Sequence, residues 1–185
     1  MYDEKVNNSI RFLIIGLAAV SLAGCVHTKQ PGSTIPPQTT SSASPQESPT
    51  TQADVDRLAS FAIFTNGLHR VFSAAKYHNL SPDVYIESKN PNIIQVKKSG
   101  ITWNDFFKTL PFKLTKECLT TGTGETFCTS ANQTLKFYLN GVETEDLLDR
   151  EIQDGDRILI TYGSENEAQI QQQLNRVPNP KNLSK

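Results

Sequence analysis

The chain has 185 residues, enough for one domain with tails, and a net charge of −1. A balance so near neutrality gives no basic field for nucleic acid and no acidic field for cationic partners, so DNA and RNA are set aside. Hydrophobic residues make up 37% and aromatics 8%, low for a fully packed chain, and part of it is therefore expected to stay unpacked.

Residues 1–24 read as an export signal. Lys5 and Arg11 precede an apolar core from Phe12 to Leu22, with Leu22-Ala23-Gly24-Cys25 at its end. A positive flank, a short apolar run and small residues before a cut are what such a signal requires, although Asp3 and Glu4 make this flank less positive than usual. The core is shorter than the about 20 apolar residues a spanning helix needs; the alternative is an uncleaved anchor with an incidental cysteine. Leu-Ala-Gly-Cys resembles the lipobox of bacterial lipoproteins. The resemblance implies that Cys25 is acylated (palmitate-type chains), becomes the mature N-terminus and holds the chain on the extracytoplasmic face of the cell membrane. Several acyl chains on one residue anchor stably, since each buried CH2 contributes roughly 0.8 kcal/mol and a single chain is marginal.

Residues 25–52 are rich in Pro, Ser, Thr and Gln, with Ile35 the one large apolar side chain from Thr28 onward. Such a stretch buries too little to offset its ordering entropy and is expected to be a disordered tether. A polar tail is expected over 176–185, which leaves 53–175 as the globular domain.

Within the domain, Phe61 to Thr65 is a β-run ending in Asn66-Gly67, and Asp54 to Ser60 before it suits a helical turn. Asp83 to Glu87 and Ile93 to Lys97, broken by Asn90-Pro91-Asn92, suit a hairpin closed by Gly100. Thr102 then precedes Trp103, Phe106, Phe107 and Leu110 at spacings of three and four, a helix capped by threonine, with Asp105 at its third position and Pro111 as its stop. Phe112, Leu114, Cys118 and Leu119 suit a strand, with Gly122 and Gly124 as a turn before Phe127-Cys128. Thr134 to Leu139 is the clearest strand and ends in Asn140-Gly141; Leu147-Leu148 marks a short turn or helix. Asp154-Gly155-Asp156 turns into a last run from Arg157 to Tyr162, and Gly163-Ser164 suits the cap of a polar helix from Glu165 to Leu174. Phe64-Thr-Asn-Gly and Tyr138-Leu-Asn-Gly form a faint internal echo. The expected class is α+β: a small mixed β-sheet with one central helix and a C-terminal helix.

The stretch from Leu135 to Tyr162, a strand closing in Asn-Gly, a Leu-Leu turn and Asp-Gly-Asp-Arg before a terminal strand, resembles the end of a β-grasp fold. The chain continues past Gly163 without a terminal Gly-Gly, so a sulfur-carrier role does not follow. Over Ser60 to Leu174 the order of FFKTLPFKLT, Cys118, Cys128, TLKFYLNG and DGDRILITYG is similar to uncharacterised exported domains of candidate-phyla bacteria, some described as disulfide-isomerase-like. Those relatives carry histidines where this chain has Val84 to Glu87 and Gln95 to Gly100, so no metal or proton role tied to them carries over.

Cys118 and Cys128 are an even pair once Cys25 is lipidated, and export favours their oxidation. The plain reading is a staple on a hairpin, contributing roughly 2–3 kcal/mol. The sharper one is a redox pair, although nine residues intervene and no helix start follows Cys118 to lower a thiol pKa. His27, His69 and His78 are scattered and suggest no metal site. Thr121-Gly122-Thr123-Gly124 lacks the lysine of a phosphate loop. Asp154 and Asp156 lack the other ligands of a calcium loop. Glu143, Glu145, Asp146 and Asp149 suit a solvated polar segment, and no serine-nucleophile elbow is present. Trp103 and Phe107 belong to a core at helical spacing, with Tyr85 the remaining member of a candidate partner surface. No catalytic residue, metal or cofactor is expected. The leading expectation is a membrane-anchored, non-catalytic binding domain in the cell envelope. The alternatives are a thiol-disulfide oxidoreductase or accessory using Cys118 and Cys128, and an envelope spacer.

Overall fold

A computed structural model describes residues 53–183. The signal peptide, Cys25 and the tether expected over 1–52 lie outside the described residues, as does the end of the chain at 184–185.

The run from Ala59 to Thr65 lacks polar alternation, as expected of a strand covered on both faces. It is the buried second half of β1, Asp54–Thr65. Ala59, Phe61 and Ile63 face one core, and Ala62 and Phe64 the other. The first half is a correction to the sequence reading: Asp54 to Ser60 is strand, not a helical turn. It pairs antiparallel with β4, Asn90–Lys98, with an irregularity between Asp54 and Arg57. Its charged side chains find partners: Asp54 with Lys98 and Asp56 with Lys97 (2.6 Å) across the sheet, and Arg57 with Glu151 (2.7 Å) outside it.

The equally apolar β10, Arg157–Gly163, lies parallel to β1, from Ser60 opposite Arg157 to Thr65 opposite Tyr162. On its other side β8, Thr134–Leu139, runs antiparallel and is followed by β9, Val142–Glu143. β3, Val84–Glu87, closes the opposite edge by the expected hairpin with β4. The result is a mixed seven-stranded sheet in the order β3-β4-β1-β10-β8-β9, with β2, Leu68–His69, added to the end of β1. Asn66 and Gly67 (φ 51° and 75°) turn β1 into β2, and Asn140 and Gly141 (52° and 87°) turn β8 into β9. Two-residue hairpins demand this left-handed backbone, which Asn and Gly adopt most readily. The internal echo is thus one turn device used twice.

Helix α1, Trp103–Thr109, forms as expected. The Thr102 hydroxyl accepts from Asp105 N (3.2 Å) and the Asp105 carboxylate accepts from Thr102 N (3.0 Å), which satisfies two otherwise orphaned donors. The helix buries Trp103, Phe106 and Phe107 against the sheet. Phe61 meets Phe72, Phe106 and Phe107 edge-on, with ring centres 4.9, 5.5 and 6.1 Å away. Burial of each phenylalanine contributes roughly 1.5–3 kcal/mol relative to exposure.

The opposite face is covered by α2, Glu167–Leu174. Its cap is Asn166, in a capping box with Gln169, so Gly163 ends β10 and does not cap the helix. Ile170 and Leu174 pack on Ala62, Phe64, Tyr138 and Leu159. A second correction concerns the polar tail expected from residue 176. Val177 is buried in that same cluster, Ser60 Oγ donates to Pro178 O (2.7 Å), and Pro180–Leu183 form a 3-10 turn. Val177 completes the apolar cover, and the carbonyl after it satisfies a buried hydroxyl.

The stretch from Phe112 to Leu119 is not one strand. It divides into β5, Lys113–Leu114, and β6, Cys118–Thr120, which with β7, Thr126–Cys128, form a separate three-stranded sheet. Thr115 reverses the chain between β5 and β6: its hydroxyl accepts from Cys118 N (2.9 Å) and its N–H donates to Cys118 O (2.8 Å). No helix among the described residues is long and apolar enough to cross a membrane.

Candidate functional site

A concavity of about 710 Å3 lies between α1 and the three-stranded sheet. Phe107, Leu110, Phe112 and Leu114 supply its apolar lining; Lys108 on α1 and Lys113 on β5 add two cations. No acidic side chain among the described residues lines it. Neither lysine is in an ion pair with another described residue.

Strand alternation sorts the small sheet into two faces. Leu114, Leu119 and Phe127 occupy one row and pack against the core. Lys113, Thr120 and Thr126 form the next row on the opposite face. The two threonine hydroxyls are 3.0 Å apart. Cys118 and Cys128 share that outer face, directly opposite one another and joined as a disulfide. Cys118 is half-buried and Cys128 exposed.

Gly122 explains how the tip of this sheet docks. A Cβ there would lie 2.8 Å from Pro111 O, 2.9 Å from the Tyr77 hydroxyl and 3.2 Å from Lys76 Nζ. Only a glycine lets the hairpin settle against Pro111 and the 3-10 turn Ala75–Tyr77. Elsewhere the small sheet is fastened by Phe127 on Tyr162 (5.3 Å between rings) and by Arg70, which lies over Phe127 (5.1 Å) and pairs with Glu125 (3.3 Å).

Of the residues singled out by sequence, Cys118 and Cys128 are brought together; Cys25 lies outside the described residues. Trp103, Phe107 and Tyr85 do not share one exposed surface, and for Trp103, which has none, the expectation is corrected. Trp103 is 0% and Phe107 2% exposed, because the whole apolar stripe of α1 faces the sheet. Phe107 reaches only the groove lining. Tyr85 is half-buried on edge strand β3, beside a shallow depression with Leu80 and Pro82. Missed as site members by sequence reasoning were Lys108 and Leu110 at the end of α1, Lys113 on β5 and Gly122 at the tip of the small sheet, which carry no joint spacing.

The remaining polar candidates are tied to local partners. Asp154 accepts from Leu58 N (3.0 Å), and Asp156 from Gln153 N (2.9 Å) and Asn140 Nδ2 (3.0 Å), so both serve as turn braces. Arg150 donates to Asp146 at 2.9 Å and, with the Thr144 hydroxyl, holds that carboxyl down to about 2. Asp149 pairs with Lys116. The Tyr138 hydroxyl donates to Glu143 (3.0 Å); burial and then that carboxylate push the phenol up to about 12. His78 Nε2 meets Phe72 O at 2.9 Å, and His69 stacks on Phe64 at 4.9 Å. Among the described residues no group of three His, Cys, Asp or Glu side chains is placed to hold a metal ion.

The arrangement can hold an apolar, anionic partner in a stapled groove. No family model matches the chain, and neither a curated protein nor a solved structure matches it.

Proposed function

We propose that this chain is a lipoprotein anchored to the membrane through Cys25, whose folded domain is a non-catalytic binding module in the cell envelope. The observation that carries the binding half is the groove between α1 and the stapled small sheet, with its lining of Phe107, Leu110, Phe112 and Leu114. Apolar concavities of this size with few polar groups are typical places for a partner to be held. The anchoring half is supported by Leu22-Ala23-Gly24-Cys25 after a short apolar core. A β-grasp-like reading of the fold is supported by the parallel first and last strands at the sheet centre and by α1 standing between the β3–β4 hairpin and β8 in chain order.

The test is photo-crosslinking in cells. A photoreactive side chain at Thr121, in the groove, is compared with one at Glu145, and the partners are identified by mass spectrometry. The same spectra locate acyl chains on Cys25. A groove crosslink no richer than that from Glu145 overturns the binding module; an unmodified Cys25 overturns the anchor.

A second reading, a thiol-disulfide oxidoreductase or its accessory, is favoured by the exposure of Cys128, since thiol-disulfide exchange needs access for an attacking thiolate. Its test is the reduction potential. A value below about −300 mV, in the range of structural disulfides, removes it.

A further inference from the structure

Three features of the groove specify its occupant more narrowly than apolarity does. Lys108 and Lys113 line it, and among the described residues no carboxylate does. Glu125, beside the lining residue Gly124, is engaged by Arg70. The third feature is a backbone edge. Thr115 N bonds to Cys118 O just beyond the β5–β6 ladder and in its register. Leu114 opposite Leu119 is therefore a non-bonded pair, and the Leu114 N–H and C=O point away from β6. β5 is the outer strand of its sheet on that side, so a donor and an acceptor stand at the wall of an apolar, cationic groove.

We propose that this groove binds an extended peptide segment alternating apolar and acidic side chains, laid along β5 with its main chain bonded to Leu114. Alternate side chains of an extended strand point in opposite directions. One set enters the lining of Phe107, Leu110, Phe112 and Leu114, and the other presents carboxylates to Lys108 and Lys113. Main-chain bonds give such added strands affinity and the side-chain pockets give them selectivity. A fatty acid would satisfy the lining and one lysine but would leave Leu114 unpaired. The proposal rests on the binding-module reading above and gives it a partner class.

The experiment uses the full chain in nanodiscs of neutral phosphatidylcholine, with empty discs as the blank. The probe is a fluorescent, end-blocked pentapeptide of alternating aspartate and leucine, followed by anisotropy. The expected result is saturable binding, weakened about tenfold in the Lys108→Ser, Lys113→Ser double variant, and weakened when the probe's central amide is N-methylated. A lysine-leucine probe is expected not to bind. Absence of saturable binding by folded protein, equal binding of the two probes, or indifference to the double variant or to N-methylation overturns the proposal. So does binding of dodecanoate in place of the peptide. If groove crosslinks in cells report a partner while the probe fails, the peptide class is wrong and the binding module stands.

Discussion

The Cys118–Cys128 bond allows the structural and redox readings to be separated by a magnitude. The cysteines are ten positions apart. Closing a loop of that length in the unfolded chain removes entropy worth about 2.7 kcal/mol at 25 °C. For a domain of this size that corresponds to roughly 10 °C in melting temperature. The prediction is that the reduced wild type and the Cys118→Ser, Cys128→Ser double variant both melt about 10 °C below the oxidised protein, and lie within about 2 °C of each other. Differential scanning calorimetry with and without a dithiol is the assay, with urea denaturation confirming an unchanged slope. The full effect requires that the small sheet unfold together with the main sheet. Leu119 is fully buried and Phe127 packs on Tyr162, which ties the two together. A loss under about 1 kcal/mol would refute the reasoning, because the stapled hairpin would then open separately from the rest.

Gly122→Ala should destabilise by about 1–3 kcal/mol, since its Cβ would press on the backbone oxygen of Pro111; urea unfolding measures it, and a neutral result would mean that the tip is not seated as described. Thr102→Ala removes the cap of α1 and should lower stability by about 1 kcal/mol, whereas Thr102→Ser should retain most of it. His69 lies against Phe64 with Nε2 buried and without a hydrogen-bond partner among the described residues. Burial first, and the Arg176 cation second, hold its pKa below 6.5. The unfolded chain therefore takes up this proton first as pH falls, so stability declines below pH 6.5 and levels off beneath the folded-state value. Melting curves of His69→Phe across this range should lose that limb; an unchanged limb would assign it to another group.

What the sequence made legible is what local chemistry decides. Thr102, Asp105 and Pro111 bracket α1 because caps and prolines act within a few residues. The two Asn-Gly turns and the strand from Thr134 to Leu139 are local in the same sense. Asp54 to Ser60 suits a helical turn by sequence because its charged side chains are reconciled with a strand only by partners on Lys97, Lys98 and Glu151, which lie far along the chain. The end of the domain was set too early because Val177 looks like a lone apolar residue in a polar stretch until Phe64 and Leu159 are placed beneath it. The groove was invisible for a similar reason. Gly122 reads as a turn residue, yet its constraint comes from Pro111 and Tyr77, and the two groove lysines sit on different elements separated by a proline. The cysteine pairing was legible from the turn between them, a property of the chain itself.

The parallel pairing of β1 with β10 also sets a timetable. Ser60 finds its partner Arg157 only after roughly a hundred further residues are available, and contacts of such long sequence separation slow folding. A chain that emerges N-terminus first exposes the apolar run Phe61 to Phe64 early and cannot cover it until Arg157 to Tyr162 arrive. The β3–β4 hairpin can shield one edge of β1 in the interval, but the sheet closes last at its centre. The half-finished chain is therefore the form most exposed to aggregation and proteolysis, and truncation a few residues short of Gly163 removes half of the middle of the sheet.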